Sequence, residues 1–168
     1  MTKVAQFVVI INDNVVWMES KALEFYSALF GQKELGEKFV AENLSHQKLF
    51  KIQNDFSVEM LMAYDGENPL AFMKLNSSRL SNQNLGVNKA IGAEHVVYSG
   101  SDDLIVLFNR AEQVALQRKH DLIWVKVLSI DIVLIEALQS LHYKEFTFED
   151  PLAKETDPKL IYFKKSVQ

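Results

Sequence analysis

The sequence predicts an α/β (α+β) protein: one mixed central sheet of about seven strands with helices on both faces. Three observations carry that prediction. Strand-length apolar runs alternate with helical-period stretches along the chain. Two neighbouring runs are joined by Asp65-Gly66-Glu67-Asn68, whose Asp-Gly pair supplies the positive torsion of a tight antiparallel turn. The run Leu122–Leu128 is almost continuously apolar and β-branched, as a central strand covered on both faces would be.

Taken in order, residues 4–11 form an apolar run, with Val8-Val9-Ile10-Ile11 reading as a buried strand. Asn12-Asp13-Asn14 stops it far short of the roughly 18 residues that a membrane span needs. These three are capping types, and they precede a helix carrying Val16, Trp17, Leu23, Phe25, Tyr26, Leu29 and Phe30, with Gly31 as its stop. Residues 33–53 hold two further helical stretches, around Phe39-Val40 and Leu49-Phe50, with Ser45 placed to cap the second. Residues 56–64 and 69–75 form the hairpin; residues 76–84 are a polar loop. Over residues 85–92, Leu85, Val87, Lys89 and Ile91 alternate with Gly86, Asn88, Ala90 and Gly92, which predicts a strand weakened by glycine. Leu104, Leu107, Phe108, Ala111, Val114 and Ala115 recur at helical spacing. After the central strand, Ile130, Val133, Leu134, Ala137, Leu138 and Leu141 do the same, and residues 143–148 and 160–163 supply the last two strands. With no repeat, low-complexity segment or linker, residues 1–168 read as a single domain.

Composition narrows the function classes. A net charge of -4 with 18 scattered Lys and Arg offers no basic stripe, so nucleic acid is not an expected partner, nor is a membrane. The absence of cysteine excludes disulfides, thiolate metal sites and thiol nucleophiles. Together with an N-terminus that does not read as a signal peptide, it makes the cytoplasm the expected compartment. His46, His120 and His142 lack partners at ligand spacing, so no metal site is expected. There is no Ser-His-Asp order with an elbow glycine and no phosphate-binding G-x-x-x-x-G-K.

Several fragments, in this order and spacing, resemble the GNAT superfamily of acetyl-CoA-dependent N-acetyltransferases over almost the whole chain. Residues 56–76 resemble its apolar strand, D-G-E and V-G-Y-L-K-L hairpin. Ile123-Trp124-Val125-Lys126-Val127-Leu128 resembles its I-W-L-x-V strand, and Leu141-His142-Tyr143 falls at its L-G-F. Residues 39–49 resemble the helical insert of bacterial members that acetylate polyamines and other small amines.

The resemblance implies an acetyl-CoA or CoA site, with a Q/R-x-x-G-x-G/A loop offering backbone N–H groups to diphosphate at a helix N-terminus. That loop falls on Ser99-Gly100-Ser101-Asp102-Asp103-Leu104, where only Gly100 and Ser101 suit an anion, so coenzyme binding is doubtful. Two like charges about 4 Å apart cost roughly 4 kcal/mol at an effective dielectric near 20. The expectation is that Ser101 caps the helix while Asp102 and Asp103 settle its dipole in place of phosphate. The resemblance also implies two splayed parallel strands, at residues 90–92 and 125–127, with the backbone of Ala90, Ile91 and Gly92 pairing with the pantetheine arm and Asp131 at the position of a coenzyme-contacting asparagine.

Set against the family strand L-E-I-E-R-I-Y-V, residues 85–92 lack both glutamates; the family's late-helix tyrosine is Leu138, and its L-G-F glycine is His142. A two-residue insertion between Gly92 and Tyr98 moves the loop relative to the strand. His95 and Tyr98 are the replacement acid–base candidates. Trp17, Tyr26, Phe30 and Phe39 line either a substrate cleft or the core, and Glu59 faces either the cleft or water. The favoured expectation is a GNAT-like binding module whose acetyl transfer is lost or weakened; the alternative is an active acetyltransferase of a small primary amine. Expected partners are a small amine or a protein, with a homodimer left open.

Overall fold

The computed structural model describes residues 2–151 and 153–167. Its elements follow the expected order: β1 (Lys3–Val8), α1 (Asn12–Phe30), α2 (Lys33–Asn43), α3 (His46–Ile52), β2 (Val58–Asp65), β3 (Asn68–Asn76), β4 (Ala90–Val97), α4 (Ser101–Gln117), β5 (Leu122–Leu128), α5 (Ile132–Ser140), β6 (Lys144–Phe146) and β7 (Leu160–Ser166). The strands form one seven-stranded sheet in the order β1-β2-β3-β4-β5-β7-β6. Among the described residues β4 and β5 form the one parallel pair, bridged by α4 as a parallel connection requires.

Local signals set several boundaries. Gly31 ends α1 in the left-handed region at φ 72. Ser45 caps α3 by accepting from the Lys48 N–H at 3.2 Å. Gly66, at φ 62, turns the β2–β3 hairpin. The start of α1 differs from expectation: its N-cap position is Ile11, so Asn12, Asp13 and Asn14 lie inside the first turn. The Asn14 amide ties back to the Val9 carbonyl at 2.8 Å instead of capping.

The strand expected over residues 85–92 is corrected to Ala90–Val97. Residues 77–89 are a loop held by its own polar groups: Asn76 Oδ1 accepts from the Ser78 N–H at 2.9 Å, and the Asn82 amide donates to the Ser78 carbonyl at 2.8 Å. The alternation of Gly86 and Asn88 with apolar residues is therefore loop composition, and Gly86 sits at φ 77 where a strand residue would not.

Helices cover both faces of the sheet, as expected. On one face α4 and α5 pack Leu104, Leu107, Phe108 and Leu138 onto Leu61, Met73, Ile91 and Val125. On the other, α1, α2 and α3 pack Val15, Met18, Tyr26, Val40 and Leu49 onto Met60, Met62, Phe72 and Val97. Among the described residues no helix is long and apolar enough to cross a membrane.

Candidate functional site

The site originates in the parting of two strands. β4 and β5 pair from Ala90↔Leu122 to Ala93↔Val125 and no further. Beyond that point β4 stays with β3, and β5 stays with β7 as far as Leu128↔Leu160. Opposite this parting β4 carries an irregularity: Lys74 pairs with Glu94 and Phe72 with Val97, so three steps of β4 span two of β3. Within this bulge, His95 has φ 53, a left-handed conformation uncommon outside glycine.

The parted strands open a cleft of about 680 Å3. Tyr26 of α1 and Phe39 of α2 form one wall, Glu94 and His95 of β4 and Lys126 of β5 the floor, and Asp131 before α5 the far side. Further acidic groups come from Glu42 and, in the β6–β7 connection, Asp150 and Asp157. The aromatics divide: Tyr26 and Phe39 line the cleft, whereas Trp17 and Phe30 pack within the core beneath α1 and α2.

His95 Nδ1 is buried and makes no hydrogen bond among the described residues. Burial, helped by the ammonium groups of Lys74 and Lys126, holds the imidazole down at about 4 against the attraction of Glu94. At neutral pH it is uncharged and able to accept a proton or hydrogen bond. Glu94 sits 3.2 Å from Lys74 Nζ and 3.9 Å from Lys126 Nζ. Burial pushes its carboxyl up, but His95 when protonated and the two lysines outweigh that and bring it to about 2. Glu94 is therefore an ionised carboxylate with its charge already matched.

Tyr98 donates its hydroxyl proton to Asp131 Oδ1. The same oxygen accepts from the Leu134 N–H at 3.2 Å, so Asp131 serves as the cap of α5. Burial first, then the Asp131 carboxylate, raises the Tyr98 phenol above its ordinary value. Burial also raises the Asp131 carboxyl, opposed by those two hydrogen bonds. Tyr98 thus spends its proton on positioning Asp131, and of the two acid–base candidates His95 is the one that lines the cleft, with its unengaged Nδ1 turned into the protein.

The helix terminus expected to face diphosphate is differently built. Residues 98–100 alone connect β4 to α4, so Ser101, Asp102, Asp103 and Leu104 lie in the helix and not in a loop. Gly100 is the N-cap; Ser101, expected as the cap, is the first helical residue. Two N–H groups just ahead of the helix are met from inside α4: Asp103 Oδ2 accepts from the Ser99 N–H at 2.9 Å and from the N-cap Gly100 N–H at 3.0 Å. Asp103 is 1% exposed, and Lys3 of β1 bridges to it at 3.0 Å and to Asp102 as well.

Ala90, Ile91 and Gly92 lie in the closed part of the seam, with partners Leu122, Ile123 and Trp124, so the parting begins after the segment where it was expected. Gly92 is explained by its neighbour, because a Cβ there would meet Trp124 Nε1 at 2.9 Å. The structure brings His95 and Asp131 into one cleft and links Tyr98 to Asp131; it leaves Ser99, Gly100 and Ser101 around the α4 terminus. Glu59 pairs with Arg118, and His46 Nδ1 lies 2.7 Å from Glu19. Among the described residues no group of three His, Cys, Asp or Glu is placed to hold a metal ion. The sequence reading missed Glu94 and Lys126, although each is a single charge inside an otherwise apolar strand, AIGAEHVV and LIWVKVL, which was the available signal. Nothing in the sequence pointed to Lys3.

No protein-family model matches the chain, and none of the curated proteins matches it at a significant level. Solved structures do. The PaiA N-acetyltransferase of Thermoplasma acidophilum, solved in complex with coenzyme A, superposes with a TM-score of 0.74 at 13% identity, covering 99% of each chain. A probable acetyltransferase of Staphylococcus epidermidis gives 0.71 at 15% identity, covering 99% of this chain and 100% of that one. An acetyltransferase of the GNAT family from Staphylococcus aureus gives 0.66 at 10% identity, covering 98% and 99%. At these identities the likeness establishes the fold.

Proposed function

We propose that this chain, which has the GNAT fold, is a cytoplasmic ligand-binding module in which acetyl-CoA-dependent transfer is lost or greatly weakened. One observation carries the reading: the Asp103 carboxylate already occupies the Ser99 and Gly100 N–H groups at the α4 terminus. A diphosphate approaching this terminus loses those two donors and meets a satisfied carboxylate and the exposed Asp102 at the dipole end. The residues present do not fit the group.

The cleft is a separate matter, because it is open and chemically equipped. It leans toward a small amine, because Glu42, Glu94, Asp131, Asp150 and Asp157 outnumber Lys48, Lys126 and Lys154 in its lining, and the neutral His95 ring lies in its floor. The same imidazole favours a second reading, an active acetyltransferase of a small primary amine with His95 as general base. Isothermal titration with acetyl-CoA separates the two. The first predicts no saturable heat up to about 1 mM ligand, whereas micromolar binding would replace it with the second. In Asp103→Ala the two N–H groups are released, and a gain in coenzyme affinity would identify their occupancy as the obstacle.

A further inference from the structure

We propose that Asp131 anchors the ammonium group of a primary amine, which one oxygen of its carboxylate receives together with the Tyr26 hydroxyl. The inference rests on the reading of the cleft as a ligand site and assigns the place in it that takes the ligand's charge. Among the described residues Asp103 and Asp131 are the two most buried carboxylates, at 1% and 3% exposure. A buried carboxylate ordinarily has a cation beside it, because the loss of water around its charge is otherwise unmet. Asp103 has the Lys3 ammonium, and Glu94 on the cleft floor has Lys74 and Lys126. Asp131 has no Lys, Arg or His partner within ion-pair distance among the described residues, and burial is the largest influence on its carboxyl, pushing it up.

Both hydrogen bonds of Asp131 fall on Oδ1, from the Tyr98 hydroxyl and from the Leu134 N–H. They fix the direction of the carboxylate and, with the dipole of α5, favour its ionised form. Oδ2 has no hydrogen-bond partner among the described residues, yet it is not sealed from solvent as His95 Nδ1 and His120 Nδ1 are, so it opens onto the cleft that Asp131 lines. The Tyr26 hydroxyl is placed alike: its side chain is buried, it lines the same cleft, and it makes no hydrogen bond among the described residues. Burial first, then the Asp131 carboxylate, raises the phenol above its ordinary value, so it stays protonated and feels that carboxylate. These two oxygens select the cation. A primary ammonium is compact and has three N–H donors, one for Oδ2 and one for the Tyr26 lone pair. A guanidinium binds best across both oxygens of a carboxylate, and here Oδ1 is taken. A quaternary ammonium has no N–H and leaves both oxygens unpaired. Val96, Leu128, Leu134 and Leu160 in the lining suit an alkyl body behind the charge.

Isothermal titration of the full chain at neutral pH with n-butylamine, butylguanidine and butyltrimethylammonium tests this. The primary amine is expected to bind at least about tenfold more tightly than the other two. Asp131→Asn keeps an acceptor for Tyr98 and the Leu134 N–H but removes the charge. It is expected to weaken n-butylamine binding at least about tenfold, while its melting temperature equals or exceeds that of wild type because an unpaired buried charge is gone. Tyr26→Phe is expected to weaken the same binding about threefold to tenfold. Equal affinity for the three cations, or n-butylamine binding unchanged in Asp131→Asn, would overturn the anchor and leave the cleft as a ligand site. An Asp131→Asn chain that melts well below wild type would overturn it too, by making the charge a support of the fold. No saturable heat from any of the three up to about 50 mM would contradict the anchor and the amine reading of the cleft together.

Discussion

Asp103 is buried, yet its charge is matched by two backbone N–H groups and the Lys3 ammonium. Lys3 changes the electrostatics of this corner. Two uncompensated carboxylates would repel diphosphate by several kcal/mol, but with one ammonium bridging both, repulsion is reduced and occupancy of the donors becomes the larger obstacle. His95 makes the other residue-scale test. Its folded pKa of about 4 lies below the unfolded value near 6.5, so between those limits the unfolded chain binds the proton that the folded chain refuses. Stability is therefore full above about pH 6.5 and falls as pH drops toward 4, by up to about 1 kcal/mol per pH unit. His120, also lowered by burial, adds with the same sign. Urea unfolding of His95→Gln at pH 7 and pH 5 should show a smaller stability difference than wild type; an equal difference would mean that the imidazole titrates normally.

At the scale of elements, the bulge in β4 is the feature that makes a cleft out of a sheet. It inserts one residue opposite Phe72–Lys74, places His95 in the cleft floor, and coincides with the end of the β4–β5 ladder. The aromatic wall of Tyr26 and Phe39 depends on a close contact between α1 and α2, where Gly36 lies so near Ser27 that an added Cβ would fall 2.5 Å from its backbone nitrogen. Gly36→Ala is expected to cost about 1–3 kcal/mol by forcing the helices apart, read as a lowered melting temperature, and to loosen Phe39 at the cleft. An unchanged melting point would show that the helices yield easily. The hairpin, α4 and β5 were legible because each has one dominant signal: Asp65-Gly66, a helical repeat from Leu104, and an unbroken apolar run. β4 was not. Its true span carries Gly92, Glu94 and His95, while the preceding loop mimics strand alternation through Gly86 and Asn88. A bulge depends on the pairing partner across the sheet, which no local pattern contains.

On the scale of the whole molecule, the GNAT architecture was readable from element order, because a mixed sheet with one parallel crossover and helices on both faces leaves few connections that bury every apolar stripe. The candidate site was half legible. His95, Tyr98 and Asp131 lie at or beside the cleft, whereas the lysine that ties β1 to α4 and the charges on its floor come together only through folding. Strand parting and helix terminus, which this fold brings close, are here in different states: the first is open, the second is filled by the chain itself. Amide nitrogen–proton NMR during a titration with coenzyme A tests that difference at its source. The Ser99 and Gly100 resonances are predicted to stay in place up to about 1 mM coenzyme. Saturable movement of both, with affinity in the micromolar range, would mean that Asp103 gives way to diphosphate and that the helix end still serves as a coenzyme site.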